Sequence, residues 1–570
     1  MRRRLLPVAL IVAAAICLTA LVLILPPAAR RLPSPPGDPR EVIGAMHVHT
    51  ERSDGTGTID EVAAAAARAG LDFVVLTDHG DATRAPERPR YRSGVLIVDG
   101  VEISTRGGHY IALGLDGPAP YRLAGEPPDV IADVARLGGF GIVAHPDSAK
   151  AELRWSAWSE PYDALEWLNA DSEWRDEPAR AIAGALAAYL FRGPETIASL
   201  FDRPRVMSRW DAAAQRRRVV GLAGHDAHAR IGLGGNWEPG ADDRSLPLPS
   251  YEAAFRTFAL RVRLEDAPTG DADPDARRLL RALRAGHVYT AIDAQASPAR
   301  LTFTARGHGV EGEGGDDLVT PGAVTLLAEV PGTPGVTLVL LRNGQVAASA
   351  DGPVLAYEHR PGGAPAAVYR LEARLDAANA AWRVPWIVSN PIRIVASAAP
   401  VRVAPAPPAA EAVQPIPESL ATNPWLLERD EESRASLDPR PQRGVRLAYA
   451  LAGGAPRGQY AGAALTFVPG TFIGWDRIRF RGRASREMRV SVQVREPQGR
   501  RWIRSVVLFT DPRDIVVRFD EMRVPEPVLA GRPPRPELAS LLFVVDTTNT
   551  ATGSSGTVDI EDVRLEREAR

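Results

Sequence analysis

Between residues 42 and 228, six short apolar runs carry histidine or a carboxylate at one end. "VIGAMHVHT" ends on His47 and His49, "DFVVLTDH" on Asp78 and His79, and "VLIVDGVE" on Glu102. "GHYIALGL" opens with His109, "FGIVAHPD" closes with His145, and "VVGLAGHDAH" closes with His225, Asp226 and His228. Helical stretches separate the runs, which is the rhythm of a parallel α/β barrel or sheet. Such folds gather the strand ends on one face, so side chains far apart in the chain meet there. His at i and i+2 of an extended segment points both rings to one side, so His47 and His49 could grip one ion, and Asp226 with His228 likewise. A single histidine in such a place is ordinarily structural. Seven of the ten, grouped at strand ends with Glu102 and Asp226, argue for a metal centre.

Composition narrows the chemistry. Lys+Arg 68 against Asp+Glu 70 gives a net charge of -2, which excludes a broadly basic nucleic-acid binder; no nucleic-acid partner is expected. The only cysteine, Cys17, excludes internal disulfides and cysteine-built zinc or iron–sulfur sites. Any metal must therefore be held by imidazole and carboxylate.

The 570 residues exceed one core, and the chain divides by texture. Residues 1–30 hold Arg2, Arg3 and Arg4 before Leu5–Leu25, an uncharged stretch closed by Pro26 and Pro27. As a helix it would span roughly 31 Å, enough for a bilayer core. It is also longer than the ~7–15 residues of a signal-peptide core, so it reads as an uncleaved membrane anchor in preference to a cleaved signal. The arginines favour the N-terminus inside, placing the remainder outside the cytoplasm, periplasmic or at the cell surface. Residues 31–40 read as a Pro-rich spacer and 41–296 as the α/β domain. Residues 297–396 read as an Ig-like β-sandwich with an Asn-Gly hairpin in "GVTLVLLRNGQ". A Pro/Ala linker over 397–417 then leads to a second β-sandwich over 418–570.

Taken together, "HVHTERSDGTGT", "LTDHGD", "GVEI", "AHPD" and "GHDAH" resemble, in order, the motifs of the polymerase-and-histidinol-phosphatase (PHP) superfamily of metal-dependent hydrolases. "GHYIALGL" and "WIVSNPIRI" are similar to a branch typified by carbaryl hydrolase. The resemblance implies a distorted (β/α)7 barrel, with strands expected near 43–48, 73–77, 95–102, 109–114, 141–145, 163–168 and 219–224. It also implies two or three divalent ions, zinc, manganese or iron. His47, His49 and Asp226 would hold the first; Glu102 would bridge to a second completed by His109 and His145; Asp54, His79 and His228 would hold a third. Asp78 would orient a ligand imidazole from behind. The final sandwich, chiefly through "GTVDIEDVRL" near its end, resembles galactose-binding-like domains, through which carbohydrate is a candidate partner.

Such a cluster would turn a metal-bridging water into hydroxide near neutral pH. Asp226, His228 and Asp54 are the expected catalytic residues, and Arg106 is a candidate for meeting a substrate anion. The expected activity is a membrane-tethered phosphoesterase acting on a small-molecule or phosphoester substrate. An amide or carbamate ester hydrolase and a non-catalytic glycan-binding surface protein are the alternatives. Trp155, Trp158 and Trp174 could wall a cleft or cover the domain's rim, and Glu166 could face the site or cap a helix. The Gly307-x-Gly309-x-x-Gly312 pattern lacks a following helix and reads as a turn.

Overall fold

In the computed structural model, residues 24–569 are described except 34–36, 176, 203, 233–244, 362–365, 376–381, 397–408, 417–424, 441–443, 455–457 and 526–531. The expected span Leu5–Leu25 lies outside them apart from Ile24 and Leu25; no helix among the described residues is long and apolar enough to cross a membrane. Two compact units result. One combines residues up to 81 with 85–117 and 126–398, and the other combines 82–84, 118–125 and 399–570.

The first unit is mixed α/β. Its strands are β1 (Glu41–Val48), β2 (Phe73–Leu76), β3 (Val95–Thr105), β4 (Gly108–Leu113), β5 (Phe140–Val143), β6 (Ala164–Asn169) and β7 (Val220–Gly224). Each pairs with the next, and the ladder returns from β7 to β1 through His225 N to Met46 O (3.0 Å) and Ala227 N to His47 O (3.2 Å). The expectation of parallel strands fails at β4, which runs antiparallel to both β3 and β5. Only Arg106 and Gly107 separate β3 from β4, too few residues for a crossover helix.

Helices join three of the other strand pairs, while β2 leads to β3 and β5 to β6 without one. Helix α1 (Ile59–Ala69) links β1 to β2 and opens on a capping box: the Thr58 side chain accepts from Glu61 N, and the Glu61 carboxylate accepts from Thr58 N. It ends at Gly70, whose φ of 80° suits a left-handed cap. Helix α2 (Pro127–Arg136) joins β4 to β5; α3 (Ala170–Arg175), α4 (Ala179–Ser199) and α5 (Val206–Ala214) lie between β6 and β7. Val62 and Ala66 of α1 pack with Val74, Leu76 and Ile97 in one buried cluster.

The segment 297–396 lies in this same unit. A four-stranded sheet of Val310–Glu313, Thr302–Gly307, Val324–Glu329 and Val354–His359 shares a core with the sheet containing Val336–Arg342 and Ala366–Leu375. Phe303, Leu326 and Leu355 come from one sheet, Leu338, Tyr369 and Leu371 from the other. Arg342 pairs with Gln345 across Asn343 and Gly344, the expected two-residue hairpin, and both turn residues have positive φ. His308 and Gly309 make a similar turn inside the glycine pattern. Asn390, from "WIVSNPIRI", accepts from Gly221 N (2.8 Å) and donates to Gly221 O and Val288 O (2.9 Å each). That side chain clamps β7, the strand that delivers Asp226.

The second unit is all-β. A five-stranded sheet containing Met488–Arg495 and Ser540–Asp546 shares a core with a six-stranded sheet around Ser555–Glu568. Trp425, Phe480, Trp502 and Phe543 belong to that core. Ala410–Pro415 is also a strand here, pairing with Ser555–Glu568, so the expected linker 397–417 is too long at its C-terminal end. Its side chains are almost all exposed, as suits an edge strand, and it shows none of the alternation that marks a half-buried one.

Candidate metal centre

Three of the nine expected ligands sit on strained backbone. His47, His145 and Asp226 have φ of 60°, 30° and 49°, a region costing a non-glycine residue on the order of 1–3 kcal/mol. At His47 the register of β1 against β2 slips between Met46 and Val48. His47 and His49 do converge, with ring centroids 5.2 Å apart, but a bulge brings this about and not regular extended pleating. His109 enters by a different rule. Because β4 is antiparallel, its start and not its end reaches the cluster, which explains why His109 leads its run.

Glu102, fully buried at the centre, faces two ways. Its Oε1 lies 2.8 Å from both His109 Nδ1 and His145 Nε2. Its Oε2 lies 3.3 Å from His47 Nε2, His49 Nε2 and His79 Nδ1. Asp226 Oδ1 is 3.2 Å from His47 Nε2 and 3.3 Å from His49 Nε2. On the outer side, Asp54 Oδ1 is 3.3 Å from His49 Nδ1, and Asp54 Oδ2 is 3.2 Å from His228 Nε2 and 3.6 Å from His79 Nε2. All nine expected ligands are therefore gathered. Four overlapping groups could each hold an ion: His47, His49 and Glu102; His47, His145 and Asp226; His79, Glu102 and His109; and His49, Asp54, His79 and His228. His79 thus stands between the second and third expected sites.

The donor set fits divalent cations. His47 Nε2, His49 Nε2, His79 Nδ1 and His145 Nδ1 are buried without a hydrogen-bond partner, a costly state for an imidazole nitrogen. Two ligand atoms on one cation at about 2.1 Å lie about 3.4 Å apart if tetrahedral and about 3.0 Å if octahedral. The 3.2–3.3 Å separations around Glu102 Oε2 and Asp226 Oδ1 match that spacing. Burial opposes ionisation of Glu102, Asp226 and Asp54, yet the surrounding imidazoles hold each below the usual carboxylate range. Burial likewise opposes protonation of His47 and His49, but the carboxylates hold both well above the ordinary imidazole value. The centre is a concentration of negative charge that demands positive charge.

Glu166 faces the site. Its Oε1 lies 2.6 Å from His47 Nδ1, and its Oε2 accepts from His145 N (2.7 Å) and Asn169 Nδ2 (2.8 Å). A carboxylate there keeps the proton on Nδ1 and turns Nε2 toward the centre. Asn169 also reaches Asp226 Oδ2 at 3.3 Å; its only sequence signal is its place at the end of β6, three residues after Glu166. Gly224 makes the room, since a Cβ on it would fall 1.8 Å from Glu166 Oε1.

Asp78 does not do what was expected of it. It accepts from Thr50 N and Ser53 Oγ (2.7 Å each) and from Thr50 Oγ1 (2.8 Å), and it pairs with Arg52 (2.7 Å), so it holds the loop after β1 and no imidazole. Arg106 pairs with Glu126 at 3.0 Å, an exposed ion pair on the β3–β4 turn. His225 points away from the cluster, stacked on Phe258 at 4.0 Å with Nε2 3.0 Å from Phe258 O, and burial pushes it down to about 4. Trp155 is buried against Tyr110, Trp158 lies under Arg209, and Trp174 alone of the three lines a cleft that also touches Asp226 and His228.

An 80-residue stretch, 13% of the chain, is 32% identical to an error-prone DNA polymerase of Symbiobacterium thermophilum, of which it spans 7%. Among solved structures, a two-domain protein of Bacteroides vulgatus described as containing a predicted PHP-like metal-dependent phosphoesterase aligns over 64% of this chain and 99% of its own. That alignment has 13% identity and a TM-score of 0.29. A family 11 carbohydrate-binding module of Clostridium thermocellum aligns over 28% of this chain and 99% of its own, at 16% identity and a TM-score of 0.22. Residues 45–111, which hold His47, His49, Asp54, His79, Glu102 and His109, match the PHP domain, and the chain thus carries a PHP domain there.

Proposed function

We propose that this chain is a metal-dependent hydrolase acting on phosphoesters, tethered to a membrane through Leu5–Leu25 with its catalytic unit outside the cytoplasm. The observation that carries the hydrolase reading is the buried donor set. Four unpartnered imidazole nitrogens share a site with Glu102 and Asp226, and the one two-faced carboxylate, Glu102, touches five of the six candidate imidazoles. Divalent cations bound there would supply Lewis acidity, lowering the pKa of a water and neutralising charge on phosphoryl oxygens.

The chain's own residues do the positioning. Glu166 holds the Nδ1 proton of His47. The main-chain oxygen of Asp226 lies 2.8 Å from His228 Nδ1, which leaves Nε2 toward Asp54. Asp54 and His228 stand on the more open side of the cluster, where an ester can enter. In the reaction, the water oxygen bonds to phosphorus as the ester P–O bond breaks. The alcohol leaves with a proton that came from the water, so no further reagent is needed.

Purified protein prepared without chelator should carry at least two transition-metal ions per chain and hydrolyse p-nitrophenyl phosphate esters. Chelation should abolish the activity, and manganese or zinc should restore it. Glu102→Ala should lose more than one ion, since its two oxygens serve different imidazole sets. One ion or none in the unaltered protein would refute the cluster. Metal-dependent turnover of a p-nitrophenyl carboxylate alone would move the assignment to amide or carbamate ester hydrolysis.

A further inference from the structure

The cluster opens into an apolar cleft that phosphoryl chemistry by itself does not require. Asp226 and His228, with Asp171 and Arg230, form its polar part, and Trp174, Ile182, Leu186, Tyr189, Ile197 and Leu200 line much of the remainder. All but two of these six come from α4, the helix that also presents apolar side chains to solvent: Leu186 is 39% exposed, Leu190 78% and Phe191 63%. Leu186 and Leu190 are four residues apart and share a helix face, so the cleft wall continues outward along α4. Exposed leucine and phenylalanine clustered beside a cleft mouth mark a surface with an apolar neighbour.

The chain itself identifies that neighbour. Immediately after Phe191 the helix is interrupted at Arg192, with φ −142° and ψ 65°. The Arg192 guanidinium donates to Pro26 O, and Glu195 Oε1 accepts from Ala29 N at 3.2 Å. Pro26 directly follows Leu5–Leu25. The segment that leaves the apolar run is therefore fastened to α4 one residue from Phe191, so a bilayer holding that run would lie beside Leu190 and Phe191.

We propose that the cleft takes the hydrocarbon chain of an amphiphilic phosphoester resident in that same bilayer, with the phosphoryl group at the metal centre and the chain along α4. This rests on the phosphoesterase and anchor readings above, and adds the substrate class. Each methylene buried in the cleft multiplies affinity about fourfold, so burying two of the six by which an octyl chain exceeds an ethyl chain gives about a fifteenfold preference.

The test uses the metal-loaded full chain in phosphatidylcholine nanodiscs with p-nitrophenyl octyl phosphate and p-nitrophenyl ethyl phosphate, which share one scissile bond. The octyl ester should have at least a tenfold higher kcat/KM, and Leu186→Glu should bring that ratio close to one, with the milder Leu186→Ala lowering it in the same direction. A ratio within twofold in the unaltered protein, or one that neither variant moves, overturns the cleft assignment while phosphoesterase activity stands. If neither ester is cleaved, the phosphoesterase reading falls. Thermal melting then decides the cleft: octylphosphonate should raise Tm where ethylphosphonate does not, and Leu186→Glu should remove the difference. Equal effects of the two phosphonates overturn it. For the bilayer source, Leu190→Ser with Phe191→Ser should lower turnover of p-nitrophenyl hexadecyl phosphate held in vesicles at least fivefold, and that of the monomeric octyl ester much less. Equal loss on both, or none on either, overturns the bilayer as the source.

Discussion

Glu166→Gln is the substitution whose outcome the geometry constrains most tightly. Three N–H groups converge on the two carboxylate oxygens: His47 Nδ1 at 2.6 Å on Oε1, and His145 N at 2.7 Å with Asn169 Nδ2 at 2.8 Å on Oε2. A carboxylate accepts from all three, whereas an amide has one oxygen and must aim its NH2 at a donor whichever way it turns. With the NH2 toward His47, the ring is driven to the other tautomer and its Nε2 carries a hydrogen into the metal centre. With the NH2 toward His145, two donors that were paired lose their acceptor inside the protein. Either arrangement forfeits at least one buried charge-assisted hydrogen bond, about 1.5–3 kcal/mol. Disturbing such a partner of a metal-binding histidine typically weakens metal affinity about 10–100-fold, or about 1.4–2.7 kcal/mol. The two estimates agree, so titration of metal-free protein against a competing chelator should show the tightest site weakened about 10–100-fold. Sites built on Asp54 and His228 should change far less. Metal affinity within twofold of the unaltered protein would refute the claim that Glu166 sets the His47 tautomer.

Two further outcomes follow from other residues. Gly224→Ala places a Cβ 1.8 Å from Glu166 Oε1. It should cost about 1–3 kcal/mol of stability by overpacking and weaken metal binding as Glu166→Gln does; an unchanged melting curve and unchanged titration would contradict this. In the second unit, partial burial opposes ionisation of Asp430, but the Ser433 side chain and the backbone N–H groups of Tyr460, Ser433 and Glu432 bring its carboxyl down to about 2. A depressed folded-state pKa gives stability that is present above the ordinary value near about 3.9 and lost as pH falls toward about 2. Asp430→Asn should cost about 1 kcal/mol at pH 7, a figure kept low because the side chain is partly exposed, and the gap should close between about pH 4 and pH 2. A gap that persists at pH 2 would show that the charge is not responsible.

The legibility of the site in the sequence follows from which residues must be chemically unusual. Histidine at the end of an apolar run is rare enough to stand out, and the nine expected ligands do gather. Asp78 looked equally promising beside His79, but a carboxylate next to a ligand can serve the backbone of a neighbouring loop as well as an imidazole, and sequence adjacency does not distinguish them. The orientation of Glu166 was invisible for a related reason. Its direction depends on Gly224, which lies 58 positions later and contributes only the absence of a side chain. The strand 410–415 was hidden because an exposed edge strand makes its hydrogen bonds through the backbone, leaving no periodic pattern in its side chains.

By itself, the sequence determined the kinds of atom available to the centre, imidazole and carboxylate without thiolate, and the order in which six strand-like runs present them. Those properties are local: they depend on residue chemistry and on apolar patterns a few residues long. Tertiary structure alone decided that His47, His145 and Asp226 adopt strained backbone, and that Pro26 and Ala29 bond to α4, the helix that lines an apolar cleft. Each of these is settled by packing between segments tens to hundreds of residues apart, where the energy of closing the whole ladder and core outweighs what any single residue would prefer.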